Sequence, residues 1–219
     1  MVYIIGCGGV GSFLAPTLCL LVGRENITLV DGDTLEAKNL NRQLFTESDI
    51  GSNKAEALAQ RYGCKAIPDW YSESLTFHPP EDWLIGVVDN HVARNSILGC
   101  VDRHGCRAIL AANEVHSSEA YAYLPQWKDT RIDPRVMYPE IRTDHSGDPR
   151  AAQAGCTGEA QVANVQLVTA NFMAAALAAH LFVVWAMESQ KLAPEDWRHL
   201  PHKLVNNLTK NETHKAVIN

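Results

Sequence analysis

Val2-Tyr3-Ile4-Ile5-Gly6-Cys7-Gly8-Gly9-Val10-Gly11-Ser12 decides the fold. Its first four residues are apolar without a break, the pattern of a parallel strand covered on both faces. The glycines at 6, 8 and 11 have the GxGxxG spacing. In such a turn the first glycine permits a tight reversal, the second lets phosphate approach the backbone, and the third lets the next helix pack on the strand. Gly9 reads either as part of that turn or as a small residue for packing. The spacing predicts a helix over 10–22 with its free N–H groups facing an anion. Pro16 lies inside it and should kink it or mark a frayed first half.

Residues 27–30, Ile-Thr-Leu-Val, make a second strand, and Asp31 ends it 20 residues after Gly11. An acid there accepts hydrogen bonds from ribose hydroxyls. Strand, turn, helix, strand and acid predict a nucleotide site on an α/β sheet, but do not separate NAD from ATP. The segment Asp31-Gly32-Asp33-Thr34-Leu35-Glu36-Ala37-Lys38-Asn39-Leu40-Asn41-Arg42-Gln43 makes that separation. A dehydrogenase has no use for an arginine and several amides at this place. An adenylating enzyme does, because charge builds on the phosphates at its transition state. Arg42 can bind phosphate oxygens through two parallel bonds, and Asn39 can reach ribose or phosphate. Asp33 reads either as a second acid at the site or as a cap of a helix or turn.

Asn53 is placed to cap a helix that begins at Lys54. A lysine in a first turn opposes the helix dipole, so either phosphate holds it there or it is an ordinary solvated side chain. Residues 84–88, Leu-Ile-Gly-Val-Val, read as a third buried strand closed by Asp89 and Asn90. A carboxylate at the end of a central strand lies in the crevice where such sheets bind ligands. Asp89 can hold Mg²⁺, which binds through one or two carboxylates and bridges phosphates; otherwise it caps the helix expected over 91–104. Arg94 and Asn95 on that helix either face the site or cap a neighbour.

GCGGVGS, DGDTLEAKNLNRQ, the lysine-led helix, VVDN and ARN follow one another over residues 4–95, with weaker correspondence beyond. Together they resemble the ThiF/MoeB/HesA superfamily of ubiquitin-activating-enzyme-like adenylyltransferases, in its minimal bacterial stand-alone form. The resemblance implies a Rossmann-like, mostly parallel sheet with helices on both faces, extended by antiparallel strands in the C-terminal half. It implies one adenylation domain over 1–219, with a nucleotide-binding part (1–111) and a carrier-docking part (112–219). Gly6, Gly8, Gly9 and Gly11 would form the phosphate turn, and Asp31 would bind ribose, with Asp33 and Asn90 beside the nucleotide. Asn39, Arg42 and Lys54 would contact ATP phosphates, supported by Gln43, and Asp89 would be the magnesium-linked carboxylate. The implied substrate is the C-terminal glycine carboxylate of a small ubiquitin-like or sulfur-carrier protein, and the implied assembly is a homodimer.

Residues 107–111 and 120–124 read as further strands. Residues 125–155 carry four prolines and mixed charge and read as a long irregular crossover loop beside the carrier's tail. Cys156 precedes a helical run over 160–189; a thiol at a helix start has a lowered pKa. It is either a nucleophile that takes the activated carrier or an inert thiol. The other five cysteines read as packing residues. The apolar residues on every face of 162–187 suggest burial at an interface. The stretch 172–187 falls short of the ~20 residues that cross a bilayer, and His180 interrupts it, so a buried core helix is expected and no membrane span. Residues 203–208 and 213–218 read as a closing antiparallel hairpin.

Composition bounds these expectations. At 219 residues the chain suits one α/β domain with a full core. A net charge of −6 and no basic run argue against a nucleic-acid partner. Scattered cysteines with no leader before the first strand fit the reducing cytoplasm. No CxxC pair occurs, so the structural zinc of many relatives is not expected. Relatives often carry a helix before the first strand that gives an arginine to the partner's ATP site; with the glycine turn at residue 6, that arginine is expected either to come from elsewhere or to be missing, with altered activity. Rival readings are a non-catalytic ThiF-like binding partner, adenylation of a small carboxylate attached to tRNA, and an NAD-dependent dehydrogenase, which needs only the glycine turn and Asp31.

Overall fold

The computed structural model describes residues 1–72, 78–114, 116–147, 167–192, 194–207 and 212–217. The strands are β1 (Val2–Ile5), β2 (Ile27–Val30), β3 (Lys65–Ile67), β4 (Trp83–Gly86), β5 (Arg107–Asn113), β6 (Ser117–Tyr123), β7 (Pro201–Asn207) and β8 (Glu212–Val217). They form one eight-stranded sheet in the order β3-β2-β1-β4-β5-β6-β7-β8. The first five in that order pair in parallel and the last three are added antiparallel. This is the Rossmann-like sheet with a C-terminal antiparallel extension that the motifs predict. Every residue of β2 and β4 is buried, as strands covered on both faces must be.

The longer helices are α1 (Gly11–Val22), α2 (Lys54–Tyr62), α3 (His91–His104) and, after the short α4 (Pro134–Met137) and α5 (Glu140–Thr143), α6 (Val168–Val183). From β1 the chain moves outward through β2 to β3, then returns and moves the other way through β4 to β5. Right-handed crossovers in opposite directions place α1 and α2 on one face of the sheet and α3 on the other. The reversal opens a crevice above the carboxyl ends of β1 and β4. Asn53 caps α2 by accepting the Glu56 N–H at 3.1 Å, and Gly63 ends it at a φ of 71°. α1 runs without a break through Pro16. One helical N–H is lost there, but Leu14, Ala15 and Leu18 are fully buried on its inner face and hold the helix in place.

Three expectations change. Residues 125–147 are not irregular: Pro125–Trp127 form a tight 3₁₀ turn, followed by α4 and α5. Pro134 occupies the first position of α4, where a missing N–H leaves no bond unmade. Asp133 caps that turn by accepting the Arg135 N–H at 2.8 Å, and Arg135 reaches back to Asp102 on α3, also at 2.8 Å. The helical run expected over 160–189 is described from Val168, and its apolar part is longer than the 172–187 read from the sequence. It continues through a π turn to Lys191, 24 residues that are long and apolar enough to cross a membrane by length and composition. Its inner face nevertheless lies in the core: Phe182 meets Trp83 edge-on at 5.6 Å and Trp185 meets Trp127 at 5.2 Å. Its outer face is not covered, since Val168 and Phe172 are exposed. Lastly, the short strand β3 completes the parallel edge at a place where the pattern of apolar residues gives no strand.

Candidate functional site

A cleft of about 560 Å³ opens at the switch point between β1 and β4. Its floor is the glycine turn. Gly6 has a φ of 95°, and a Cβ there would lie 2.8 Å from the Val87 carbonyl, so only glycine lets β1 and the exit of β4 come this close. Gly8 and Gly9 line the cleft; Gly11 does not. A Cβ on Gly11 would fall 1.9 Å from the Gly6 carbonyl, so its part is to let α1 start against the strand, not to touch a ligand.

Asp31 holds this floor in shape. Its Oδ2 accepts the Cys7 N–H at 2.6 Å and its Oδ1 accepts the Asp33 N–H at 2.8 Å. Burial pushes its carboxyl above the ordinary carboxylate range, even against these two N–H groups. An anion in that condition gains from further donors, and ribose hydroxyls are such donors. Lys54 is buried beside it, and its ammonium is paired in close contact with Asp33. Lys54 is therefore neither a solvated surface lysine nor a free cation, and Asp33 is its counter-ion more than a cap. A phosphate here would share the ammonium with Asp33.

The 39–43 segment forms the rim. Asn39 is buried, and its Oδ1 accepts the Glu36 N–H at 3.0 Å, which leaves its NH₂ to face a ligand. Arg42 is half-buried; Nη1 donates to the Lys38 carbonyl at 3.1 Å and to Asn41 at 3.3 Å. These bonds hold Nη1, and the remaining guanidinium nitrogens of this cleft-lining residue make no hydrogen bond among the described residues. Gln43 is buried against Gly8, and its Oε1 has no hydrogen-bond partner among the described residues. Across the cleft Asn90 caps α3, accepting the Ala93 N–H at 2.8 Å. That removes the capping role from Asp89, whose exposed carboxylate makes no hydrogen bond or ion pair among the described residues. Arg94 lines the same wall and donates to the Val88 carbonyl at 3.0 Å; Asn95 does not line it.

Other lining residues were not anticipated. Trp70 and Tyr71 follow β3, and Ala111, Ala112 and Asn113 end β5. The Trp70 ring lies against Gly32, where a Cβ would be 2.6 Å from it, so an indole stands beside the acid at the end of β2. An aromatic residue after so short a strand carries no local signal; its place follows only from the sheet. Four basic side chains (Lys38, Arg42, Lys54, Arg94) and four acidic ones (Asp31, Asp33, Glu36, Asp89) line the cleft. A polyphosphate entering so balanced a site would need a cation with it. Among the described residues no three His, Cys, Asp or Glu side chains gather to cage an ion. A magnesium ion held by one carboxylate and the phosphates fits this set. Cys156, the segment 148–155 of the expected crossover loop and the turn of the closing hairpin lie outside the described residues.

The whole of this framework, from glycine turn to α6, is covered by one family match, described as the ThiF family, over residues 1–195. The chain belongs to the ThiF family. The Nedd8-activating enzyme E1 catalytic subunit of Drosophila melanogaster is 50% identical over 109 residues, 45% of this chain and 24% of that protein. The ATP-dependent ubiquitin transferase-like protein Cap2 of Enterobacter hormaechei is 32% identical over 130 residues, 56% of this chain and 20% of that protein. The chain thus spans a quarter or less of the length of these relatives. Among solved structures, PaaA matches with a TM-score of 0.68 at 19% identity, over 100% of this chain and 72% of that one. MccB from E. coli, crystallised with ATP, matches with a TM-score of 0.66 at 19% identity, over 99% of this chain and 63% of that one. Both likenesses confirm the sheet and helix arrangement of this ThiF-family chain.

Proposed function

We propose that this ThiF-family chain uses ATP to adenylate a carboxylate, the C-terminal glycine of a small ubiquitin-like or sulfur-carrier protein. One observation carries the reading: the cleft brings the glycine turn, Arg42 and Lys54 opposite the Asp89 carboxylate, which has no partner among the described residues. A dinucleotide site would leave those three side chains without a task. The carrier carboxylate attacks the α-phosphorus; an oxygen–phosphorus bond forms, the bond to the β-phosphate breaks, and pyrophosphate leaves. The attacking group is ionised at neutral pH, so no general base is required. The chain's part is alignment and charge stabilisation: Arg42 and Lys54 meet the phosphates, Asp31 the ribose, and the glycine turn the backbone-facing oxygens. Asp89 would hold Mg²⁺, which when bound neutralises charge on the phosphates. On this reading residues 1–111 hold the nucleotide and residues 112–219 receive the carrier.

The names of the relatives support a protein substrate: one activates Nedd8 and another is ubiquitin transferase-like. MccB, crystallised with MccA, supports a wider class that includes peptides. Cys156 is the residue we assign to any later transfer of the acyl group: its thiolate would attack the acyl carbon of the adenylate, a carbon–sulfur bond forming as the carbon–oxygen bond to the phosphate breaks and AMP leaves. On this reading the protein works in the reducing cytoplasm. A homodimer is supported by the exposed apolar side chains of Leu20 on α1 and Phe172 on α6; a single-chain mass by light scattering at working concentration would remove it.

Two measurements test the reading. In calorimetric titration Mg-ATP binds and NAD does not; the reverse order would overturn it. Labelled pyrophosphate then exchanges into ATP only when a ubiquitin-like protein ending in glycine is added. Binding also has an optical signature. Of the five tryptophans only Trp70 lines the cleft. Mg-ATP is expected to quench intrinsic fluorescence in the wild type and not in Trp70→Phe. On this reading the adenine base lies beside the Trp70 indole, and quenching that survives this substitution would move it away.

A further inference from the structure

Asn171 does not line the cleft, yet it touches two parts of it. It sits in the first turn of α6 and is fully buried, in a helix that is otherwise apolar on its inner face. A buried amide destabilises unless its groups are used. Its Nδ2 donates to the backbone carbonyl of Arg42 at 3.0 Å, across 129 residues of sequence. The same amide presses on the glycine turn: a Cβ at Gly9 would meet Nδ2 at 2.5 Å and Oδ1 at 2.8 Å. Turning the amide over would set one carbonyl against another, so the donor belongs on Arg42. The start of α6 is itself tied to the sheet, since Ser118 on β6 donates its hydroxyl to the Ala170 carbonyl at 2.9 Å. The 39–43 turn is closed on itself, with the Arg42 and Gln43 N–H groups both bonded to the Asn39 carbonyl at 3.1 Å. Asn171 supplies that turn with an outside anchor.

We infer that Asn171 is a positioning residue for the phosphate end of the cleft, holding the Arg42 backbone and the glycine turn in one arrangement. The inference rests on the reading of the cleft as an ATP site. It also gives Gly9 a reason: the turn is glycine there because an amide from the far half of the chain lies against it.

The test is a double-mutant cycle read with two probes, Mg-ATP and adenosine. Asn171→Ala is expected to weaken Mg-ATP binding by about tenfold, the worth of one well-placed hydrogen bond. Adenosine, which has no phosphate, should bind as in the wild type. The double variant Arg42→Ala/Asn171→Ala should lose clearly less than the sum of the two single losses, because part of the Asn171 effect passes through the Arg42 side chain. Equal losses for both probes, or additive losses in the double variant, would show a general structural role and overturn the inference. A wild-type chain that binds no Mg-ATP would overturn the nucleotide reading and this inference with it. A wild type that binds Mg-ATP beside an Asn171→Ala variant that binds as tightly overturns the inference alone. If Asn171→Ala does not fold, amide hydrogen exchange on the unaltered chain decides. Mg-ATP should slow exchange at 168–172 more than adenosine does, and equal protection by the two would sink the proposal.

Discussion

On the proposed adenylation reading, Asp89→Ala is expected to lose carboxylate activation by ~100-fold or more, the usual penalty for removing one charged group from a preorganised transition-state site, while its melting curve overlays that of the wild type. The second half of this expectation follows from the structure. The Asp89 carboxylate is exposed and makes no hydrogen bond or ion pair among the described residues, and Asn90 performs the capping of α3. Substitutions at exposed positions of that kind stay within ~0.5 kcal/mol in stability. Binding should separate two roles of the carboxylate. Without a divalent cation it repels phosphate, so Asp89→Ala should bind ATP as well as the wild type or better. With magnesium present the order should reverse, because the ion loses a protein ligand. Pyrophosphate exchange measures the first effect and calorimetry with and without Mg²⁺ the second. Wild-type exchange in Asp89→Ala would remove Asp89 from the reaction. A metal-independent change in ATP affinity would remove the ion from Asp89.

The parts of this molecule that can be read from the chain are those whose cause is local. An unbroken apolar run followed by glycines at fixed spacing gives β1, the turn and α1. Asn53 ahead of Lys54 announces a helix start through a side-chain oxygen three residues from the N–H it accepts, whereas the cap of α3 is Asn90 and not the Asp89 that the sequence offered for it. Features set by distant partners are not readable in this way. β3 is three residues long with Lys65 exposed, too short to show any period. Trp70 reaches the cleft only because β3 lies beside β2. Lys54 is legible as a lysine out of place, but its pairing with Asp33 joins residues 21 apart, and the Asn171–Arg42 bond joins residues 129 apart. The prolines of 125–147 read as breakers when each is taken alone, and two of them stand at the first position of short helical turns. The ordering of that stretch comes from an ion-pair network that no window of sequence contains.

That network is where stability is most exposed to a single change. Arg135→Ala is expected to destabilise the fold by about 3–5 kcal/mol, because it strips the partner from buried carboxylates. Asp133 has no solvent exposure and its Oδ2 takes the Arg135 guanidinium at 2.9 Å, while Asp102 takes it at 2.8 Å and is 11% exposed. Arg135 also donates to the Tyr123 hydroxyl, which in turn donates to Asp102, so one guanidinium joins α3, β6 and α4. For a domain of this size such a loss lowers Tm by about 10 °C. Acid should show the same coupling. Burial works against the charged form of Asp102, but hydrogen bonds from Arg135 and Tyr123 and the charges of Arg135 and Lys128 outweigh it and hold the carboxyl below the ordinary carboxylate range. A carboxyl depressed on folding stabilises fully above its unfolded value, about 3.9, and loses that contribution as pH falls through its folded value. The stability gap between wild type and Arg135→Ala should therefore be full at neutral pH and narrow below pH ~4. Urea denaturation at stepped pH reads both numbers. A gap under ~1 kcal/mol at neutral pH would mean that the network is as dispensable as a surface ion pair, and a gap that stays constant into acid would mean that Asp102 is not the group that Arg135 holds charged.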